Sequence, residues 1–172
     1  MRYRNDLTAT YVKSILDYFP DTGVFKWKHR VDVPREWNAR WAGREAGANA
    51  GSSHNIIIRY KAYKAHRLAW LIVTGSWPLQ LIDHRDLDPL NNKWDNIREA
   101  SGTDNKANIR RLSNNTSGFK GVSFYKSRNK YESYININGK RKRLGYFETA
   151  EEAHSAYRQA SLSLFGEYAR FE

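Results

Sequence analysis

Apolar side chains follow Thr8 at helical spacing: Tyr11, Val12, Ile15, Leu16 and Phe19 share one face, and Pro20 follows. With Thr8 as N-cap, this predicts a helix that runs to Pro20. Asp21-Thr22-Gly23 then reads as a turn and Val24–Trp27 as a short strand. Residues 29–53 lack clear periodicity and are expected to be irregular. Asn55–Tyr60, with three consecutive isoleucines, predicts a strand, and His66–Thr74 a short buried helix closed by Gly75 and Pro78. Leu81-Ile82 leads an apolar strand into Asp83-His84, followed by a polar loop with Asp88-Pro89 and a second strand over Asn96–Ala100. Ser101 is placed to cap a helix over about 102–112, with Asn105 on its first turns.

The remainder changes period. Gly121–Tyr125, Lys130–Asn136 and Arg141–Tyr146 alternate with period two, and Asn138-Gly139 is a two-residue hairpin signal. That period places Val122, Phe124, Ile135, Ile137, Leu144 and Tyr146 on one face. The opposite face carries Ser123, Tyr125, Tyr134, Asn136, Arg141 and Arg143, with Lys126, Arg128, Lys130 and Lys140 at the loops. Thr149 and Glu152 form a capping-box pattern. Ala150, Ala153, Ala156, Tyr157, Ala160 and Leu164 form a helical stripe that reads as core.

Charge divides the chain further. Of its 172 residues, 29 are Lys or Arg and 18 Asp or Glu, a net of +11. A chain this basic implies a polyanionic partner. Residues 105–172 carry 13 basic and 6 acidic residues, and Lys120–Arg143 has eight basic residues against one acid, Glu132. The polar stretch Ser113–Gly118 reads as a boundary, so two domains are expected, 1–115 and 116–172. Cysteine is absent, which excludes disulfides, thiol nucleophiles and a Cys-bound structural zinc. No apolar run approaches the ~20 residues of a membrane span. The N-terminus lacks the apolar core of a signal peptide. A soluble protein without a membrane partner is expected.

Asp83, His84 and Asn105 suit metal-assisted phosphodiester hydrolysis. Asp83 and Asn105 offer hard oxygen ligands that fit magnesium, and a neutral His84 can take a proton from an attacking water. Adjacent strand residues point to opposite faces, so Asp83 and His84 share a site only if the strand twists or ends there. On residue chemistry alone, an Asp-His pair is more commonly a surface hydrogen bond, and Asn96 serves equally as a turn residue. His66 reads as a helix-start histidine that packs and makes one hydrogen bond. His29, His54 and His154 are expected at the surface.

Asp83-His84, Asn96 and Asn105, at intervals of thirteen and nine positions, resemble the HNH motif of phage homing endonucleases in its His-Asn-Asn variant. The segments His66–Trp70 and Thr22–Phe25 resemble the leader of these phage proteins. The resemblance implies a ββα-metal (His-Me finger) module at about 80–112. It implies His84 as general base, Asp83 and Asn105 as ligands of one divalent metal (magnesium ahead of manganese), and Asn96 as the asparagine bracing the loop.

Gly121-Val122, Leu144–Phe147, Thr149–Ala153, Ala156-Tyr157 and Phe165-Gly166 resemble the plant APETALA-type (ethylene-response-factor) DNA-binding domain, over about Ser117–Glu172. This implies a sheet docked in the DNA major groove. Ser123 and Tyr125 stand where that family commonly places arginines.

The expectation is therefore an α+β chain: a ββα-metal nuclease module, then a small three-stranded antiparallel sheet packed on one helix. Its expected activity is that of a site-specific homing-type DNA endonuclease, in the host cytoplasm if phage-encoded. A monomer would nick double-stranded DNA and a dimer would cut both strands. The rival expectations are a non-catalytic DNA-binding regulator and an RNA-binding protein using the same basic face.

Overall fold

A computed structural model describes residues 4–172 as two compact units, one ending at Glu99 and the other spanning Ala100–Glu172. The division falls ahead of the polar stretch 113–118. The chain is mixed α/β, with small sheets throughout.

In the first unit, α1 (Ala9–Ile15) is capped by Thr8, whose hydroxyl accepts from the Tyr11 amide at 3.2 Å. The helix stops at Ile15, short of the expected Pro20. Leu16 turns extended and opens β1 (Leu16–Phe19), which pairs with β2 (Val24–Trp27) from Leu16↔Trp27 to Phe19↔Val24. Strand pairing here overrides the helical spacing of Leu16 and Phe19. Gly23 closes the hairpin at φ +74°, and a Cβ there would meet the Asn92-Lys93 backbone at 2.6 Å.

The stretch expected to be irregular contains α2 (Arg35–Trp41) and β3 (Ala48–Ala50). No residue of α2 is buried, so no apolar stripe marks it in the sequence. β4 (Ser53–Ile58) and β5 (Lys61–Lys64) follow in a sheet ordered β3-β4-β5. The strand expected to reach Tyr60 ends at Ile58, because Arg59 and Tyr60 form a left-handed turn at φ 50° and 62°. Ile56 and Ile58 are buried while Ile57 faces solvent. α3 (Ala65–Thr74) buries Ala65, Leu68, Ala69 and Leu71 and ends on left-handed Gly75, as its pattern predicts. β6 (Leu81–His84) and β7 (Ile97–Ala100) form a two-stranded sheet. Asn96 lies in a 3-10 turn (Trp94–Asn96) rather than opening the strand. The core gathers α1, α3 and the sheets around Val12, Ile15, Phe25, Ile56, Ile58, Leu68 and Leu71.

In the second unit, α4 (Gly102–Ala107) starts on a capping box of Ser101 and Asp104. It ends five residues before the expected Leu112. The Ala107 carbonyl, which a longer helix would pair with the Arg111 amide, instead accepts from Lys120 Nζ at 2.6 Å. The Arg111 amide donates to the Glu172 carbonyl at 3.0 Å. Lys120 Nζ also reaches the carbonyls of Ile109 (2.7 Å) and Arg170 (3.0 Å).

β8 (Val122–Tyr125), β9 (Lys130–Ile137) and β10 (Lys140–Phe147) form an antiparallel sheet ordered β10-β9-β8. Asn138 and Gly139 turn the hairpin at φ 51° and 78°. α5 (Ala150–Phe165), with the expected Thr149/Glu152 capping box, buries Ala150, Ala153, Tyr157, Ser161 and Phe165. A Cβ at Gly121 (φ +74°) would lie 2.1 Å from the Tyr157 ring.

One face assignment is corrected. The register shifts between Arg143 and Gly145, and beyond it Tyr146 pairs with Glu132 instead of falling in the core parity. This bulge moves Tyr146 onto the face of Tyr134 and Arg143.

Candidate active site and nucleic-acid interface

Asp83 and His84 are the last two residues of β6 and, as strand parity dictates, turn to different neighbours. Asp83 is buried and its Oδ2 accepts from Arg98 Nε on β7 at 3.0 Å, with Arg98 Nη2 also at 3.0 Å. His84 is buried against His66 of α3, ring centroids 5.1 Å apart at 83°, and its Nε2 lies 3.5 Å from Asn92 Oδ1. Burial pushes His84 below its usual pKa, against the opposing pull of Asn92 and the carboxylates of Asp86, Asp83 and Asp88. The ring is therefore neutral near pH 7 and has a lone pair available. His66 is driven down to about 3, by burial first and then by the His84, Arg67 and Lys64 charges.

Asn96 is buried beneath the loop after β6. Its Oδ1 accepts from the Asp86 amide (3.1 Å), and its Nδ2 donates to Asp86 Oδ1 (2.9 Å) and the Asn91 carbonyl (2.8 Å). Asp86 Oδ2 accepts from Asn91 Nδ2 at 2.7 Å. Burial pushes Asp86 up, but hydrogen bonds from Asp88, Asn91 and Asn96 outweigh it and hold the carboxyl below its usual value. Tyr18 of β1 donates to the Asn92 carbonyl at 2.8 Å. The loop is thus tied at both ends, and Asn92 is held beside His84.

Asp83, His84 and Asn96 all lie in the first unit, each on its own partners: Arg98 for Asp83, His66 and Asn92 for His84, Asp86 and Asn91 for Asn96. Asn105 lies half-buried on α4, in the second unit. Sequence reasoning read His66 as a packing histidine without naming His84 as its partner, and it missed Arg98, Asp86 and Asn92. The turn-forming series Asp86-x-Asp88 and Asn91-Asn92 was the available signal; nothing in the sequence pairs Arg98 with Asp83. His54 and His154 are half-buried rather than at the surface. His54 Nε2 lies 3.0 Å from the Ala46 carbonyl, and His154 Nδ1 lies 3.2 Å from the Lys120 carbonyl.

Among the described residues, no group of three or more His, Cys, Asp or Glu side chains could hold a metal. Asp83 offers a carboxylate oxygen, which here accepts from Arg98, and Asn105 an amide oxygen; each by itself is a hard donor of the kind a divalent ion takes.

On the second unit's sheet, Ser123, Tyr125, Lys130, Tyr134, Asn136, Arg141 and Arg143 share one face by register. Lys126 and Arg128 stand in the 3-10 turn between β8 and β9. Lys130 pairs with Glu148 at 2.6 Å. Arg141 stacks 3.4 Å above the Tyr134 ring. Arg128 and Arg143 lie 4.6 and 5.0 Å from the Tyr146 ring, which leans on Tyr125 at 5.2 Å. Tyr146 was assigned to the core, and Glu132, buried on this face, was not singled out for a role.

The strand ending in Asp-His, the loop braced by Asn96, the returning strand and the capped helix α4 all fall between residues 81 and 107. Residues 63–107 match the family described as HNH endonuclease. The chain is 34% identical over 113 residues to Protein 3.8 of Escherichia phage T7, covering 65% of this chain and 93% of that relative. It belongs to the HNH endonuclease family. No solved structure matches it. Among the described residues, no helix is long and apolar enough to cross a membrane.

Proposed function

We propose that the protein is a site-specific DNA endonuclease of the homing type, with an HNH nuclease domain over 1–115 and an APETALA-type DNA-binding domain over 116–172. The observation that carries this reading is His84: a neutral imidazole at a strand end, beside a loop locked by Asn96. His84 takes the proton of the attacking water at a ring nitrogen. Asn96 keeps the 85–92 loop, and with it Asn92, in register with that ring. Asp83 and Asn105 would hold one divalent ion, magnesium ahead of manganese, in a ββα-metal arrangement. When bound, the ion supplies charge stabilisation at the scissile phosphate.

The basic face of the second unit, Ser123, Tyr125, Lys126, Arg128, Lys130, Tyr134, Asn136, Arg141 and Arg143, supports binding of double-stranded DNA. Arginines there would read base edges and lysines would hold phosphates. The phage relative supports action inside a host cell. A monomer with one site nicks, and cutting both strands calls for a dimer.

The ion pair between Asp83 and Arg98 favours one alternative, a DNA-binding regulator in which the motif is a scaffold. Supercoiled plasmid bearing phage and host DNA, incubated with magnesium, separates the two. The nuclease reading expects open circles that vanish with chelator or with His84→Ala. Intact supercoils under tight binding refute it and favour the regulator.

A further inference from the structure

The sheet face opposite α5 is not uniformly basic. Glu132, the single acid between Lys120 and Arg143, sits on it with its side chain 8% exposed, between arginine side chains 49% and 57% exposed. Both oxygens are used. Oε2 accepts from Arg141 Nη2 at 2.5 Å and Oε1 from Arg143 Nε at 2.6 Å. Arg141 Nη2 also reaches Ser123 Oγ at 3.4 Å, while the Tyr134 ring backs its guanidinium. Arg143 has the Tyr146 ring at 5.0 Å, and the β10 bulge puts that ring on this face.

A carboxylate on a surface meant for a polyanion repels it, so its place there needs a compensating role. Two long arginine side chains ordered in advance lose less freedom when a partner arrives. Arg143 is gripped through Nε, which leaves its two terminal nitrogens as a planar fork. Such a fork matches O6 and N7 of guanine in the major groove.

We propose that Glu132 is a specificity-determining positioning residue, which sets Arg143, with Arg141 beside it, as a preformed fork for a guanine edge of duplex DNA. This rests on the reading of the sheet as a DNA-binding surface. Glu132 lowers general attraction to phosphate and raises discrimination among bases. Its removal moves the two in opposite directions, which a merely structural role would not do.

The test incubates the full chain, in chelator to prevent cleavage, with a pool of random duplexes and sequences the bound fraction. The wild type is expected to enrich guanine at one or more positions by about 10-fold or more. Glu132→Gln is expected to cut that enrichment below about 3-fold while binding the unselected pool more tightly at low salt. Unchanged enrichment, an equal loss of affinity for all sequences, or a wild type without guanine preference overturns the proposal. Failure of the wild type to bind duplex at all instead refutes the DNA-binding reading of the sheet beneath it. If Glu132→Gln does not fold, Arg143→Lys keeps the charge and removes the fork. Retained guanine preference in that variant overturns the proposal equally.

Discussion

His66 couples stability of the first unit to pH. Its folded pKa lies near 3 against an ordinary 6.5, so the folded state refuses a proton that the unfolded chain accepts. A histidine depressed in the fold contributes its stability above the unfolded value and loses it as pH falls below. The unfolded state binds the extra proton throughout that window. Between about pH 7.5 and pH 5 this costs about 2 kcal/mol, against a total of roughly 5–15 kcal/mol for a domain of this size. The corresponding drop in urea midpoint is about 1 M. All six tryptophans, at 27, 37, 41, 70, 77 and 94, lie in the first unit, so selective tryptophan fluorescence follows its unfolding alone. Wild type and His66→Gln are compared at the two pH values. The variant is expected to lose clearly less midpoint on acidification, because the remaining groups, His84 included, titrate in both proteins. Equal acid shifts in the two would refute the burial argument.

Asn96→Ala strips the Asp86 amide and carboxylate of their shared partner and is expected to cost about 1–3 kcal/mol. Faster hydrogen exchange at the 86–93 amides, with slower nicking, would register it. Gly121→Ala drives a methyl into the Tyr157 ring from a left-handed backbone and should destabilise the second unit by about 2–4 kcal/mol, read by circular dichroism melting. Asn105→Ala is expected to raise the magnesium concentration needed for nicking, and an unchanged titration would remove it as a ligand. Because burial holds His84 below its usual pKa, the nicking rate should stay level as pH falls past 6.5 and decline only below it. A decline centred above 6.5 would contradict that burial.

Local signals made much of this legible. The caps at Thr8, Ser101 and Thr149, the Asn138-Gly139 turn and the α3 stripe are each written in a few neighbouring residues, and the structure has them. The misses depend on distant partners. Leu16 leaves its helix because Trp27 pairs with it, and α4 stops where Lys120 and the 170–172 segment claim its carbonyls and amides. Tyr146 changes face because one bulge residue shifts the parity of β10. At the nuclease motif, Asp83-His84 and Asn96 are visible by spacing. The neighbours that tune them, His66, Arg98 and Asn92, come from a helix, a strand and a loop with no common pattern.

Lys120 has a bearing on how the protein can be taken apart. Its ammonium gathers carbonyls from both sides of α4's end and from Arg170, so the helix bearing Asn105 is fastened to the tail of the second unit. Asn105, the ligand proposed beside Asp83, thus belongs architecturally to the second unit. A chimera joined at the polar 113–118 stretch would sever that fastening and divide the second unit, leaving α4 without Lys120. A joint at the Glu99-Ala100 step would keep α4, Lys120 and the tail as one heritable piece, with Asn105 carried in it.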